Sequence, residues 1–176
     1  KFRSSLDAIR TLTDAEPSVF VPAMQQACAE AGVAVVFVPS IPKTGISGAT
    51  RWINSNKAII QLSLRYRTND HFWFTFFHEA GHILLHGKKE LFLEYNNGLD
   101  DEKEQDANHY SQNKLIPEKA MSRFIVNGDF TRSSIIAFAK EVEIAAGIVV
   151  GQLQHCGLVD YKVHNVLKQS FKWAHE

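Results

Sequence analysis

The chain has 176 residues, 45% of them hydrophobic, which is ample for one domain with a substantial core. Its 19 Lys and Arg balance 19 Asp and Glu, so no net charge draws it to nucleic acid or to an acidic lipid surface. No stretch reaches the roughly 18 apolar residues needed to cross a bilayer, no signal peptide opens the chain, and Cys28 and Cys156 form no C-x-x-C pair. These features describe a cytoplasmic protein with reduced thiols.

The sequence opens at Lys1, without an initiator Met, in what reads as the middle of a helix. That opening fits the C-terminal part of a longer protein. Pro17 to Ala31 has helical periodicity, with Val19, Phe20, Ala23, Met24 and Ala27 on one side and Gly32 as the stop. Val33 to Val38 is a short, β-branched run and predicts a buried strand. Pro39 to Gly48 holds two prolines and two glycines and reads as a loop. Ala49–Ile53 and Lys57–Leu64 follow as strands of a hairpin turning at Asn54-Ser55-Asn56.

Directly after the hairpin comes an apolar helix through Phe72-Trp73-Phe74-Thr75-Phe76-Phe77 and on to Leu85, with Asn69 or Asp70 as its cap and Gly87 as its stop. Its apolar character on nearly every side places it in the interior. Yet it carries His78-Glu79-Ala80-Gly81-His82, the pattern H-E-x-x-H. On a helix, residues four apart point almost the same way and lie about 6 Å apart along the axis. That spacing lets His78 and His82 close on one zinc ion, at roughly 2.0–2.1 Å from each nitrogen. Glu79 then falls beside the metal without binding it, where it can take a proton from an activated water. An interior helix should not hold two histidines and a glutamate unless something satisfies them, and a Zn2+ ion does so.

A catalytic zinc takes three protein ligands and keeps one position open. His86 continues the series, but it lies some ~12 Å along the helix from His78 and about 80° around it. It reads instead as a helix-end histidine near the negative end of the macrodipole. Gly87 to Asp101 is polar and irregular, with a turn at Asn96-Asn97-Gly98. The helix from Asp101 to Leu115, stopped by Pro117, supplies the next candidates. Glu104, Ala107, Asn108, Ser111 and Leu115 share one stripe, while Glu102, Asp106, His109 and Asn113 form the solvated one. Glu104 is the carboxylate on the inward face, and Asn108, one turn later, is placed to orient a ligating imidazole.

Two more helices, Ser133–Glu141 and Ala145–His155 with Gly157 as terminator, complete an α+β layout with a small mixed or antiparallel sheet. The second has no Lys or Arg to meet phosphates, so this pair is not expected to bind nucleic acid directly.

These residues resemble the ImmA/IrrE-type metallopeptidases, in which H-E-x-x-H is followed by E-x-x-A-N and by a hydrophobic segment ending at a proline. The matching segments are His78–His82, Glu104-Gln105-Asp106-Ala107-Asn108 and Leu115-Ile116-Pro117, with the extension Leu84-Leu85-His86-Gly87. Tyr110-Ser111 stands where Phe-Ala is usual, and Ile116 replaces a common Met; neither change touches a ligand. The stretch from Gly45 to Trp52 and the Phe72–Phe77 run look like the versions fused behind a helix-turn-helix domain, as in HigA-like antitoxin regulators.

The resemblance implies a thermolysin-like zincin core spanning residues 1–176, a metallopeptidase-like domain preceded by a DNA-binding domain. It implies a sheet whose edge strand pairs with an extended substrate, for which Ala49–Ile53 is the candidate, through Thr50, Arg51 and Trp52. It also implies a protein substrate, a helix-turn-helix repressor in cis or in trans, with a toxin as a further candidate partner. His71, His109, Tyr110 and Arg51 are candidates for stabilising an oxyanion, and none is assigned. Two functions remain open: a zinc endopeptidase controlling a repressor, and a non-proteolytic regulatory or sensor domain that keeps the fold.

Overall fold

The computed structural model describes residues 1–39, 46–86, 91–93 and 101–172. Two helices come first, α1 (Phe2–Arg10) and α2 (Pro17–Ala29), and Gly32, at φ +83°, turns the chain into β1 (Val33–Phe37). The hairpin of β2 (Gly48–Asn54) and β3 (Lys57–Leu62) leads into helix α3 (Asn69–Leu85). Strand β4 (Leu91–Leu93) precedes α4 (Asp101–Leu115), α5 (Glu118–Asn127), α6 (Arg132–Glu141) and α7 (Ala146–His155). The layout is α+β, as expected, with a helical second half.

The four described strands run in the order β1-β3-β2-β4. β1 pairs parallel with β3, while β2 pairs antiparallel with both β3 and β4. This corrects the expectation that Ala49–Ile53 forms an edge. Ala49, Thr50 and Arg51 are paired with Leu93, Phe92 and Leu91, so β4 is the outer strand on that side. A three-residue strand is too short to show an alternating pattern, which is why the irregular-looking region after α3 gave no sign of it.

Helix α3 runs through the core between the sheet and the later helices. Trp73, Phe76 and Phe77 are fully buried, and burial of each phenylalanine is worth about 1.5–3 kcal/mol. Phe20, Phe72, Trp73 and Phe171 form an aromatic cluster, with Phe20 centred 4.9–5.4 Å from the other three rings. Thr68, not Asn69 or Asp70, occupies the cap position of α3. Asn69 instead lends its side-chain oxygen to the amides of Asp70 and Gln169. The C-terminal segment is thereby laid along the start of α3, where Lys168 Nζ meets Asp70 Oδ2 at 2.6 Å.

Helix α5 was not legible in the sequence, and it ends at Gly128 with φ +69°. The C-terminal carbonyls of α4 and α6 find an unforeseen donor in Arg10, which bonds Lys114 O at 2.8 Å, Leu115 O at 2.8 Å and Val142 O at 2.6 Å. Helix α7 is buried along Ile148, Val149, Val150 and Leu153, which leaves no face for a DNA groove. The expected stop at Gly87, the turn at Asn96-Asn97-Gly98 and most of the loop between Pro39 and Gly48 lie outside the described residues. Among the described residues, no helix is long and apolar enough to cross a membrane. Both cysteines are free, and burial pushes the Cys28 thiol up to about 12.

Candidate metal centre

Helices α3 and α4 pack closely because Gly81 presents no side chain between them. A Cβ there would lie 3.1 Å from Tyr110 Cδ1 and 3.3 Å from Ala107 Cα. This approach puts the inward stripe of α4 against the H-E-x-x-H face. Ala107, Ser111 and Leu115 are fully buried, while Glu102, Asp106, His109 and Asn113 are exposed. The Ser111 hydroxyl donates to Phe74 O at 2.8 Å and fixes the register between the helices.

Three side chains converge at this contact. His78 Nε2 and His82 Nε2 are 3.0 Å apart. Glu104 Oε2 stands 3.2 Å from the first, and its Oε1 3.4 Å from the second. Donors around a tetrahedral zinc at roughly 2.0–2.1 Å stand about 3.3 Å from one another, so the three fit a zinc ion in both spacing and chemistry. Both histidines are 1% exposed, whereas the Glu104 side chain is 31% exposed, so the cluster is open to solvent on the carboxylate side.

The electrostatics agree with a cation site. Burial alone would raise the Glu104 carboxyl, but hydrogen bonding and charge from His78 and His82 in their protonated forms outweigh it and bring it down to about 2, a pull that a bound cation would supply in place of those protons. Burial lowers His82 below its ordinary value, despite its contact with Glu104, and favours the neutral imidazole that a metal requires.

His78 Nδ1 is 2.9 Å from Asn108 Oδ1. An amide oxygen only accepts, so His78 carries its proton on Nδ1 and turns the Nε2 lone pair into the cluster. Glu79, between the two histidines in sequence, is fully buried beneath β2. Its backbone oxygen accepts from Thr50 Oγ1 at 3.3 Å. A Cβ on Gly48 would meet its Oε1 at 2.5 Å, so the carboxylate lies directly against the β2 backbone.

Of the proposed substrate-strand residues, Thr50 is therefore buried under α3, Arg51 is exposed and Trp52 is half-buried. Of the oxyanion candidates, His71 stacks on Tyr66 with ring centroids 4.4 Å apart, and Tyr110 packs over Gly81. His109 and Arg51 are exposed.

His86 is the C-cap residue of α3, the helix-end position expected of it, but its contact with His82 was not foreseen. Its Nδ1 stands 2.9 Å from His82 Nδ1, and its side chain is only 5% exposed. The signal was present: His86 follows His82 by four residues, the same spacing that joins His82 to His78. Measured against His78 alone, it looked out of reach.

A cavity of about 490 Å³ lies among the start of α3, α4 and α7, with Phe74, Ile116 and Ile148 as apolar walls. None of His78, Glu79, His82 and Glu104 lines it, and Asn108 is the residue it shares with the cluster's hydrogen bonds.

No curated protein matches the chain at a significant level. A family model of peptidases, described as the IrrE N-terminal-like domain, matches residues 28–146, which takes in every residue of the cluster. The chain belongs to the IrrE N-terminal-like family of peptidase-type domains, with a His-His-Glu cluster able to hold a metal.

Proposed function

We propose that this domain is a zinc-dependent endopeptidase acting on a protein substrate. His78, His82 and Glu104 hold the ion, and Glu79 serves as the general base. The observation that carries this reading is the spacing of the three donors, 3.0–3.4 Å, with the fully buried Glu79 next to His78 in α3. A module that only bound metal would have no use for a glutamate buried next to its ligand.

A zinc ion held by His78, His82 and Glu104 would supply Lewis acidity and activate a water molecule for attack. Glu79 is the residue that would take the proton from the attacking water and return it to the leaving amine. Asn108 keeps the His78 ring in the liganding tautomer. The open side of the cluster, at Glu104, admits water and substrate. With β2 covered by β4, the outer strand on that side of the described sheet, the one proposed to pair with an extended peptide, is β4. A helix-turn-helix repressor as the substrate, in cis or in trans, follows from the resemblance of the motifs.

The test uses a combinatorial peptide library read by mass spectrometry, with zinc-loaded protein and its Glu79→Gln variant. The expected result is cleavage at a defined set of bonds by the first and at least ~10²-fold slower cleavage by the second, with zinc bound to both. Equal cleavage by the two, or none by either, would count for a regulatory domain that keeps the fold without the chemistry.

A further inference from the structure

The second imidazole pair in this region has a consequence for metal loading. His82 Nδ1 and His86 Nδ1 are 2.9 Å apart, with the rings inclined at 49°. Two nitrogens at that distance share one proton, so one donates and the other accepts. On the far side of His86, Nε2 lies 3.8 Å from Asp106 Oδ2.

A neutral His82 has two tautomers. With the proton on Nε2, the ring donates to His78 Nε2 at 3.0 Å, whose lone pair is available because Asn108 holds the His78 proton on Nδ1. His82 Nδ1 then accepts from His86 Nδ1. With the proton on Nδ1, the direction reverses. His82 donates to His86 Nδ1, His86 carries its own proton on Nε2 toward Asp106, and His82 Nε2 turns a lone pair into the cluster. Both rings stay neutral throughout, and the number of protons is unchanged. Only the second arrangement offers His82 as a ligand.

We propose that His86 is a positioning residue of the metal centre, which accepts the Nδ1 proton of His82 and so makes Nε2 available to the ion. Asp106 favours the required form of His86 but acts weakly, being 62% exposed. The proposal rests on the metal-site reading given above. His86 differs from Asn108 in one respect: an amide oxygen can only accept, whereas His86 can serve either tautomer of its partner. The His82 side of the centre is therefore adjustable, and the His78 side is fixed.

The experiment compares zinc affinity, by competition with a chromophoric chelator at constant pH, for the wild type, His86→Ala and His86→Asn. Nitrogen NMR of the zinc-loaded proteins reads the ring tautomer of His82. Loss of the acceptor weakens zinc binding by about 10–100-fold in His86→Ala, the range typical of groups that orient a ligand. His86→Asn, which restores an oxygen acceptor near the position of Nδ1, recovers most of that loss, and the wild-type spectrum shows His82 protonated on Nδ1.

Circular dichroism and thermal melting without zinc establish that the variants fold. Zinc affinity in His86→Ala equal to the wild type, or no recovery in His86→Asn, would overturn the proposal while leaving the metal site intact. A wild type that takes up no zinc would remove the metal-site reading and the proposal with it.

Discussion

Gly48 and Glu79 are packed so closely that a methyl group on the glycine would lie 2.5 Å from the Glu79 carboxylate oxygen. The glycine backbone is thus one wall of the pocket that holds Glu79, the proposed general base. Because the same methyl group would stand 2.6 Å from Thr75 Cγ2 and 2.8 Å from Glu79 Cγ, Gly48→Ala displaces the carboxylate and also strains the contact between β2 and α3, with some loss of stability. A displacement of about 1 Å at a catalytic group costs on the order of 10²-fold in rate. Gly48→Ala is therefore expected to lose about that factor in kcat and to bind zinc within about threefold of the wild type, as steady-state kinetics and chelator competition will show. A large loss of zinc affinity would mean that the two sites are not separable in this way.

Gly81 sets the distance between the two helices that bear the candidate ligands. A Cβ at this position meets backbone as well as the Tyr110 ring, at 3.1–3.5 Å, so the neighbours have little freedom to yield. Overpacking of this kind costs about 1–3 kcal/mol. Separating α3 from α4 moves Glu104 away from the histidines, so part of that cost appears as weaker metal binding, tenfold for each 1.4 kcal/mol. Gly81→Ala should lower both the melting temperature and the zinc affinity. A drop in stability alone would show that Glu104 follows the displaced helix without leaving the ion.

Asn108→Ala removes the acceptor that orients His78, and zinc affinity is expected to fall by about 10–100-fold. Asn108→Asp keeps an oxygen in place and should bind at least as tightly as the wild type. Equal weakening in both variants would point to packing rather than to the hydrogen bond.

Asp70 and Lys168 join the start of α3 to the C-terminal segment through a pair in which both side chains are nearly buried. Removing one partner from a buried pair costs about 3–5 kcal/mol. For a chain of this size that lowers Tm by about 6–20 °C, the expected result for Lys168→Met in calorimetry. The double variant with Asp70→Asn should regain part of the loss, because no charge is then left unpaired.

The site was more legible than the fold around it. His78, Glu79 and His82 declare themselves because charged and titratable groups in an apolar helix need a reason to be there. Glu104 and Asn108 followed from the 3.6-residue stripe of α4, which the structure shows turned toward α3. The strand pairings were harder. Whether β2 is an edge depends on β4, which comes from a distant and irregular-looking segment, and pairing of that kind leaves no local trace.

Helix α5 escaped because its buried face holds little more than Met121 and Phe124, too sparse a stripe to stand out. Arg10 illustrates a further limit. A surface-like residue near the start of the chain closes the ends of two helices more than 100 residues away, a role set by tertiary contact alone. His86 was read correctly as a helix-end residue, while its contact with His82, one turn earlier, was not drawn from the same spacing.

The proposed chemistry depends on a divalent ion held between α3 and α4. The most direct measurement is elemental analysis of freshly purified protein beside its His82→Ala variant, supported by an anomalous-scattering map at the zinc edge. The expected result is close to one zinc per chain in the wild type, with a single anomalous peak bounded by His78 Nε2, His82 Nε2 and Glu104, and near none in the variant. A wild type that stays free of zinc when the metal is supplied, or a peak lying elsewhere, would contradict the account.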